Sequence, residues 1–536
     1  MKAQLQLASS ALALAGLMVG VAAHATNIAE LPLKMAVLAK PNIIFALDDS
    51  GSMDWELLLG TRNGYLWWDD AGSAWDGTNN RPRTDLTNNR GMAYLFPMGV
   101  GANNGGQLYN IGTDYGRVAP PIAQLAWARS SAFNPLYYNS SVNYPAWAPA
   151  YVSGALRSYS NASTTAAPSH PGPLSGTVTT LNVGSDWNSS STNFTTANFR
   201  FSVMPGMALP VGTVVNATTS SSGVCSGGTA QTLTAVTVVP AGQRCQASIP
   251  YFPATFWQRT VCPANEPTCV VAPDCTVENP VANPNASCIA SPDGVGKLRR
   301  YEIKTGNTFP SGRSAADELQ NFANWFTYYR KRKLMLAGAM GRSLESITGV
   351  RMGAVAFCED TAGNPCIAPT MFDADSTNPA NNRRAVAGYF YLNAQAAEGT
   401  PTHATMKYVA GQFNTNTSVV QYACQRNSLF VMTDGFSNTA TTTPPAWDAG
   451  KSANTWGATA PYQTTINGSL ADLGLRYYTN RLRATGATSL PAGRVPSGDP
   501  ARVNPDLNTD LHITTYGITL GARGTLYPNE LNPFAI

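Results

Sequence analysis

Three short apolar runs place the strongest limit on how this chain can fold. Residues 42–47 (Asn-Ile-Ile-Phe-Ala-Leu), Met352 to Phe357 and Ser428 to Thr433 each have the length of one strand and lack the in-out alternation of a half-exposed one. Strands buried on both faces of a parallel sheet read this way. Helical spacing separates the runs. From Ser314, with Asp317 three residues on as a capping signal, Leu319, Phe322, Phe326, Met340, Leu344 and Ile347 recur at intervals of three and four or their multiples. This predicts one long helix, or two joined near Gly338 and Gly341. A second helix is expected after Thr402 and a third from Ser469, with Asp472 in its first turn and Leu470, Leu473 and Tyr477 on one face. Further strands are expected near Tyr389-Phe390-Tyr391 and over His512–Ile518. Strands and helices in alternation specify an α/β fold with a doubly wound parallel sheet.

Between the first and second runs the pattern breaks. Residues 57–312 are rich in Gly, Asn, Ser, Thr, Pro and Tyr, show brief alternating stretches such as Thr237-Val238-Val239, and carry no helical period. They read as a large β-rich insertion. Six of the nine cysteines (Cys225, Cys245, Cys262, Cys269, Cys275 and Cys288) fall in it, so the insertion is expected to contain disulfides, with a pairing the sequence leaves open. Cys358 and Cys366 can close a short loop, which leaves Cys424. The division expected is residues 1–25 as a signal peptide, 26–56 as first strand and following loop, 57–312 as insertion, and 313–536 as the remainder of the sheet domain.

The signal-peptide reading rests on Lys2, the apolar stretch Ala11–Val21 and the small-x-small site Ala23-His24-Ala25. It implies export, which suits the cysteine content. Charged residues make up 12% of the chain and the net charge is +4, which does not describe a phosphate-binding surface, so no nucleic-acid partner is expected. Gly450-Lys451-Ser452 imitates the end of a phosphate loop, but Pro445 stands where the first glycine is required, and no nucleotide is expected either.

Chemistry should lie beyond the carboxyl ends of the strands. The first run ends in Asp48-Asp49-Ser50-Gly51-Ser52, the third in Thr433-Asp434-Gly435, and Gly399-Thr400-Pro401-Thr402 precedes a helix. Together they offer hydroxyls from Ser50, Ser52 and Thr400 and carboxylates from Asp48 and Asp434. An all-oxygen set suits a hard divalent cation, Mg²⁺ first and Mn²⁺ or Ca²⁺ as alternatives, with water filling what protein does not reach. An ion held this way keeps positive charge and one replaceable position for an acidic group on a partner. No enzyme is expected, because neither Gly-x-Ser-x-Gly nor His-Glu-x-x-His occurs.

The Asp-x-Ser-x-Ser, Thr and Asp elements resemble the metal-ion-dependent adhesion site of von Willebrand factor A domains, and the resemblance implies that Asp48, Ser50, Ser52, Thr400 and Asp434 surround the metal. Further blocks resemble PilY-type proteins of the type IV pilus tip: Leu47 to Trp55, Phe133 to Asn139 with Tyr144 to Trp147, Asn321 to Arg330, Cys424 to Asn427, and Leu470 to Leu473 with Tyr477-Tyr478. That resemblance implies an exported protein of the pilus tip, cell surface or outer membrane that transits the periplasm. Its partners would be minor pilins or other tip components, and a host or abiotic surface ligand with an acidic group. It implies roles in pilus biogenesis, adhesion and mechanosensing. Proteins of this type usually continue into a β-propeller, and the sequence stops at Ile536 soon after its last expected strand, as a fragment or a truncated gene would.

Two rival readings remain. A secreted metal-dependent hydrolase would need a general base near the ion, with Asp49 or Asp54 nearest in sequence; a metal-independent scaffold would merely order the tip. Asp506-x-Asn508-x-Asp510 opens like a calcium loop but has Leu511 and Gly517 where Gly and Glu are required, and reads as a solvated loop. Asp373-x-Asp375 is discounted likewise. Arg330-Lys331-Arg332-Lys333 reads as a solvated helical face.

Overall fold

The computed structural model describes residues 39–61, 64–69, 71–84, 91–97, 118–172, 178–188, 200–216, 223–262, 270–392, 399–435, 470–502 and 505–520. The proposed signal peptide, the phosphate-loop mimic and Ser469 lie outside them.

At the centre stands β1 (Asn42–Leu47). It pairs in parallel with β2 (Arg351–Ala356) on one side and with β4 (Asn427–Thr433) on the other, so that Leu47 lies opposite both Ala356 and Met432. β5 (Thr514–Thr519) adds in parallel to β4, and the two-residue β3 (Phe372–Asp373) caps β2 antiparallel, giving the order β3-β2-β1-β4-β5. Successive side chains of a strand point to opposite faces. Ile44 and Ala46 accordingly pack with Met406, Val409 and Phe413 of α4 (Thr402–Thr415) and Leu473 of α5 (Leu470–Thr479). Phe45 turns the other way, onto Phe390 of α3 (Arg383–Leu392), with ring centroids 5.5 Å apart. The result is a mixed α/β domain with helices on both faces of a largely parallel sheet.

Two helices cross from the insertion back to the sheet. α1 (Ala315–Tyr328) is capped by Ser314, whose hydroxyl accepts from the Asp317 N–H, and α2 (Arg332–Glu345) follows after a three-residue break. The junction lies at Tyr329–Lys331, and Gly338 and Gly341 sit inside α2. Small residues are wanted there for packing: a Cβ on Gly341 would stand 2.0 Å from the Tyr391 hydroxyl. The aromatic run Tyr389–Tyr391, expected as a strand, is the last part of α3. Helical spacing of the buried positions explains the difference: Val386, Ala387, Phe390 and Tyr391 are buried while Tyr389 is exposed, and at Gly388 the helix backbone lies against the insertion strand Ala150–Val152, where a Cβ would meet the Tyr151 carbonyl at 2.0 Å.

The insertion is built of short antiparallel strands, including a four-stranded sheet ordered Phe201–Val203, Cys245–Ser248, Val214–Asn216, Ala230–Thr232. Disulfides join Cys225 to Cys245, Cys275 to Cys288 and Cys358 to Cys366, and Cys424 is a free thiol. Its apolar interior runs without a break into the sheet domain: Phe256, Tyr138 and Trp325 belong to the same buried cluster as Leu47 and Met352. α1 makes the join. Asn321 accepts from the Tyr144 N–H (2.7 Å) and donates to the Val142 carbonyl (2.8 Å), Asn324 accepts from the Ala162 N–H (2.8 Å), and the Trp325 indole donates to the Leu136 carbonyl (3.0 Å). Among the described residues no helix is long and apolar enough to cross a membrane.

Candidate metal centre

β1 and β4 run side by side, so their ends deliver Asp48 and Asp434 to the same edge. The Asp48 N–H donates to the Met432 carbonyl at 3.0 Å, which carries the pairing one residue past the strand. One Asp48 oxygen accepts from the Ser50 N–H (2.8 Å) and the other from the Thr433 hydroxyl (2.6 Å). The chain then turns through a single 3₁₀ turn, Gly51–Asp54. Ser50 Oγ and Ser52 Oγ lie 3.2 Å apart, and Ser52 donates to Asp434 Oδ1 at 2.7 Å. Four of the five predicted residues, Asp48, Ser50, Ser52 and Asp434, thus form one hydrogen-bonded set.

Thr400 reaches this edge by a different element. Thr405, in the first turn of α4, exchanges hydrogen bonds with Cys358 (2.9 Å to its N–H and 3.1 Å to its carbonyl), and Cys358 follows β2 where that strand ends beside Leu47. The mouth of α4 therefore opens at the carboxyl edge, with Thr400 buried there. The Thr402 hydroxyl faces back towards the Thr400 carbonyl at 3.5 Å.

Three carboxylates, Asp48, Asp49 and Asp434, lie close together at this corner. Burial, followed by the charge of Asp434, pushes Asp48 up to about 6. Burial and then the charge of Asp48 push Asp49 up to about 7, and Asp49 Oδ1 is buried with no hydrogen-bond partner. A cation between Asp48 and Asp434 would relieve their mutual repulsion, and the donors are the oxygens a hard ion takes. Among the described residues no three His, Cys, Asp or Glu side chains are placed to share one ion, so the candidate set comprises two carboxylates with hydroxyls.

The basic run, expected on a solvated face, is buried behind the site. Arg330, Lys331 and Arg332 are at most 1% exposed and Lys333 is 7% exposed. Each meets an acid. Arg330 Nε donates to Glu56 (2.8 Å), Lys331 and Lys333 both donate to Asp54 Oδ1 (2.9 and 2.6 Å), and Arg332 Nη1 donates to Asp434 Oδ2 (2.6 Å). Burial alone would raise Asp54, but the two ammonium groups hold it down at about 2; Lys331, buried and sharing its acceptor with Lys333, falls to about 8. One continuous helix would fan four consecutive side chains around its axis, whereas the break between α1 and α2 accompanies the burial of all four. A signal was present in the sequence: Asp48, Asp49, Asp54 and Glu56 lie within nine residues leading out of a buried strand, and buried carboxylates need cationic partners.

The other acidic motifs serve the structure. Asp506 accepts from the Tyr478 hydroxyl (2.8 Å) and lies 2.9 Å from His512 Nε2, tying α5 to the entry of β5. Asp373 and Asp375 both pair with Lys40 at the opposite edge, at 2.6 and 2.8 Å.

The fold and this edge define an α/β domain with an acid-and-hydroxyl cluster at the carboxyl ends of its central strands. Over 267 residues the chain is 27% identical to the type IV pilus biogenesis factor PilY1 of Pseudomonas aeruginosa (strain UCBPP-PA14), a match covering 46% of this chain and 22% of that protein. The chain thus resembles a type IV pilus factor over a minor part of that factor's length. No family model matches the chain, and no solved structure does.

Proposed function

We propose that this chain is an exported type IV pilus-associated adhesion and assembly module, with a von Willebrand factor A-like domain that binds partners through a divalent cation. Asp48, Ser50, Ser52, Thr400 and Asp434 would hold the ion, Mg²⁺ first with Mn²⁺ and Ca²⁺ as alternatives. The observation carrying the metal reading is the link Asp48–Ser50–Ser52–Asp434, in which residues more than 380 positions apart meet as a compact oxygen cluster. The similarity to a pilus biogenesis factor supports the pilus setting, and disulfides support an oxidising compartment such as the periplasm and cell surface. The partner would present an acidic group to the ion: a minor pilin or tip component, or a host or abiotic surface ligand. When bound, the ion supplies an electrophilic position for that carboxylate. The protein's residues orient it.

The deciding experiment is Mg²⁺ titration of the full chain by calorimetry and thermal shift, beside Asp48→Ala, paired with surface attachment and piliation of cells carrying either form. Saturable binding lost in Asp48→Ala together with lost attachment is expected. Attachment and piliation unchanged by Asp48→Ala would leave a metal-independent scaffold, and Mg²⁺-dependent hydrolysis abolished by the same change would make the domain an enzyme.

A further inference from the structure

Arg332 stands where a cation bound at this edge would feel it most. Its Nη1 donates to Asp434 Oδ2 at 2.6 Å, while Oδ1 of the same carboxylate accepts from Ser52. The guanidinium is fixed from every side. Nε and Nη2 both donate to the Leu57 carbonyl (3.0 and 2.7 Å), and the Trp55 ring lies 4.8 Å from its central carbon. Room for it comes from Gly64, at φ +77°, where a Cβ would fall 2.2 Å from Nη2. Arg332 is 1% exposed, so water does not screen its charge.

Resting on the metal reading given above, we propose that Arg332 is a built-in competitor of the divalent cation: it occupies one oxygen of Asp434 and sets the affinity of the edge for metal. A further feature fits. The buried acids Asp48, Asp54, Glu56 and Asp434 are matched in number by the cations Arg330, Lys331, Arg332 and Lys333, so a dication added to the ionised group leaves an excess of positive charge. An acidic group from a partner reduces that excess. Arg332 therefore makes the edge a weak site for bare metal and a better one for metal and carboxylate together. The residue acts on the ion through Asp434, as a positioning residue.

The test uses the full chain and Mg²⁺ alone as probe, in wild type, Arg332→Gln and Arg332→Lys, each checked for native circular dichroism. A full charge within a few ångströms of a dication in a buried site is worth about tenfold in affinity or more, so calorimetry should show Arg332→Gln binding Mg²⁺ about tenfold tighter, with Arg332→Lys near wild type. Equal or weaker binding by Arg332→Gln overturns the proposal while leaving the metal site standing. Binding gained by Arg332→Gln where wild type shows none supports it. Absence of binding in all three removes the metal reading and this inference with it. Should Arg332→Gln fail to fold, ¹⁵N-arginine spectra of wild type decide: the Arg332 Nε–H signal is expected to shift with the calorimetric midpoint, and a signal unmoved at saturation overturns the proposal.

Discussion

Arg330 and Glu56 form a fully buried ion pair, Nε to Oε1 at 2.8 Å, across 274 residues of chain. The other Glu56 oxygen accepts from the N–H groups of Leu95 (2.7 Å) and Phe96 (2.9 Å), so one carboxylate ties the break between α1 and α2, the loop after β1 and the insertion. Breaking a buried pair from one side leaves a charge uncompensated. Glu56→Gln should cost about 3 kcal/mol of unfolding free energy in guanidinium titrations. A loss near zero would show that the pair is hydrated in solution.

Gly388→Ala should loosen the insertion from the sheet domain. The added methyl meets a backbone carbonyl, which cannot rotate away, and overpacking of this kind costs about 1–3 kcal/mol. Gly411→Ala in α4, where a Cβ meets nothing within 4 Å, is the matched control and should stabilise by about 0.5–1 kcal/mol. Equal melting temperatures for the two variants would refute the contact.

Acid should weaken the insertion through His170. The ring packs on Trp147 with centroids 6.3 Å apart, and burial followed by the charge of Lys333 depresses its pKa to about 3. The unfolded chain then binds the extra proton first, so the stabilisation is complete above the ordinary histidine value of about 6.5 and is lost as pH falls towards 3. Between those limits the His170 contribution should fall by up to about 1.4 kcal/mol per pH unit, read as the difference in slope between wild type and His170→Phe, because the raised Asp48 and Asp49 act with the opposite sign in both. An unchanged slope between pH 6 and 4 would show that the ring is hydrated.

Thr400 and Thr402 can be separated by calorimetry. The Thr402 hydroxyl faces the backbone, so Thr402→Val should leave Mg²⁺ affinity within about twofold, a difference of roughly 0.4 kcal/mol. Thr400→Val should weaken it clearly. The reverse order would move the threonine ligand by two residues.

Much of the sheet was legible because burial on both faces leaves an unbroken apolar run, as in Ile43–Leu47 and Leu429–Met432, and a parallel sheet gathers the turns at the ends of such runs on one edge. The Ser314 cap was equally plain. Tyr389–Tyr391 misled because aromatic residues favour strands on average, whereas the buried positions Val386, Ala387, Phe390 and Tyr391 follow the helical period once the residues before the aromatic run are included. The burial of Arg330–Lys333 had no local signature either. Charges in a row read as solvated until the distant acids are known, and Asp434 lies 102 positions beyond Arg332.

The central strand is made long before its neighbours. Asn42 lies 309 residues from Arg351 and 385 from Asn427, its partners on either side. During synthesis at about 5–20 residues per second, β1 must wait on the order of half a minute before both flanks exist. Folding is therefore governed by late closure of very long loops, and until then an unpaired apolar segment is open to wrong associations. Such a topology favours conditions that keep the chain unfolded until residues 427–433 have been delivered.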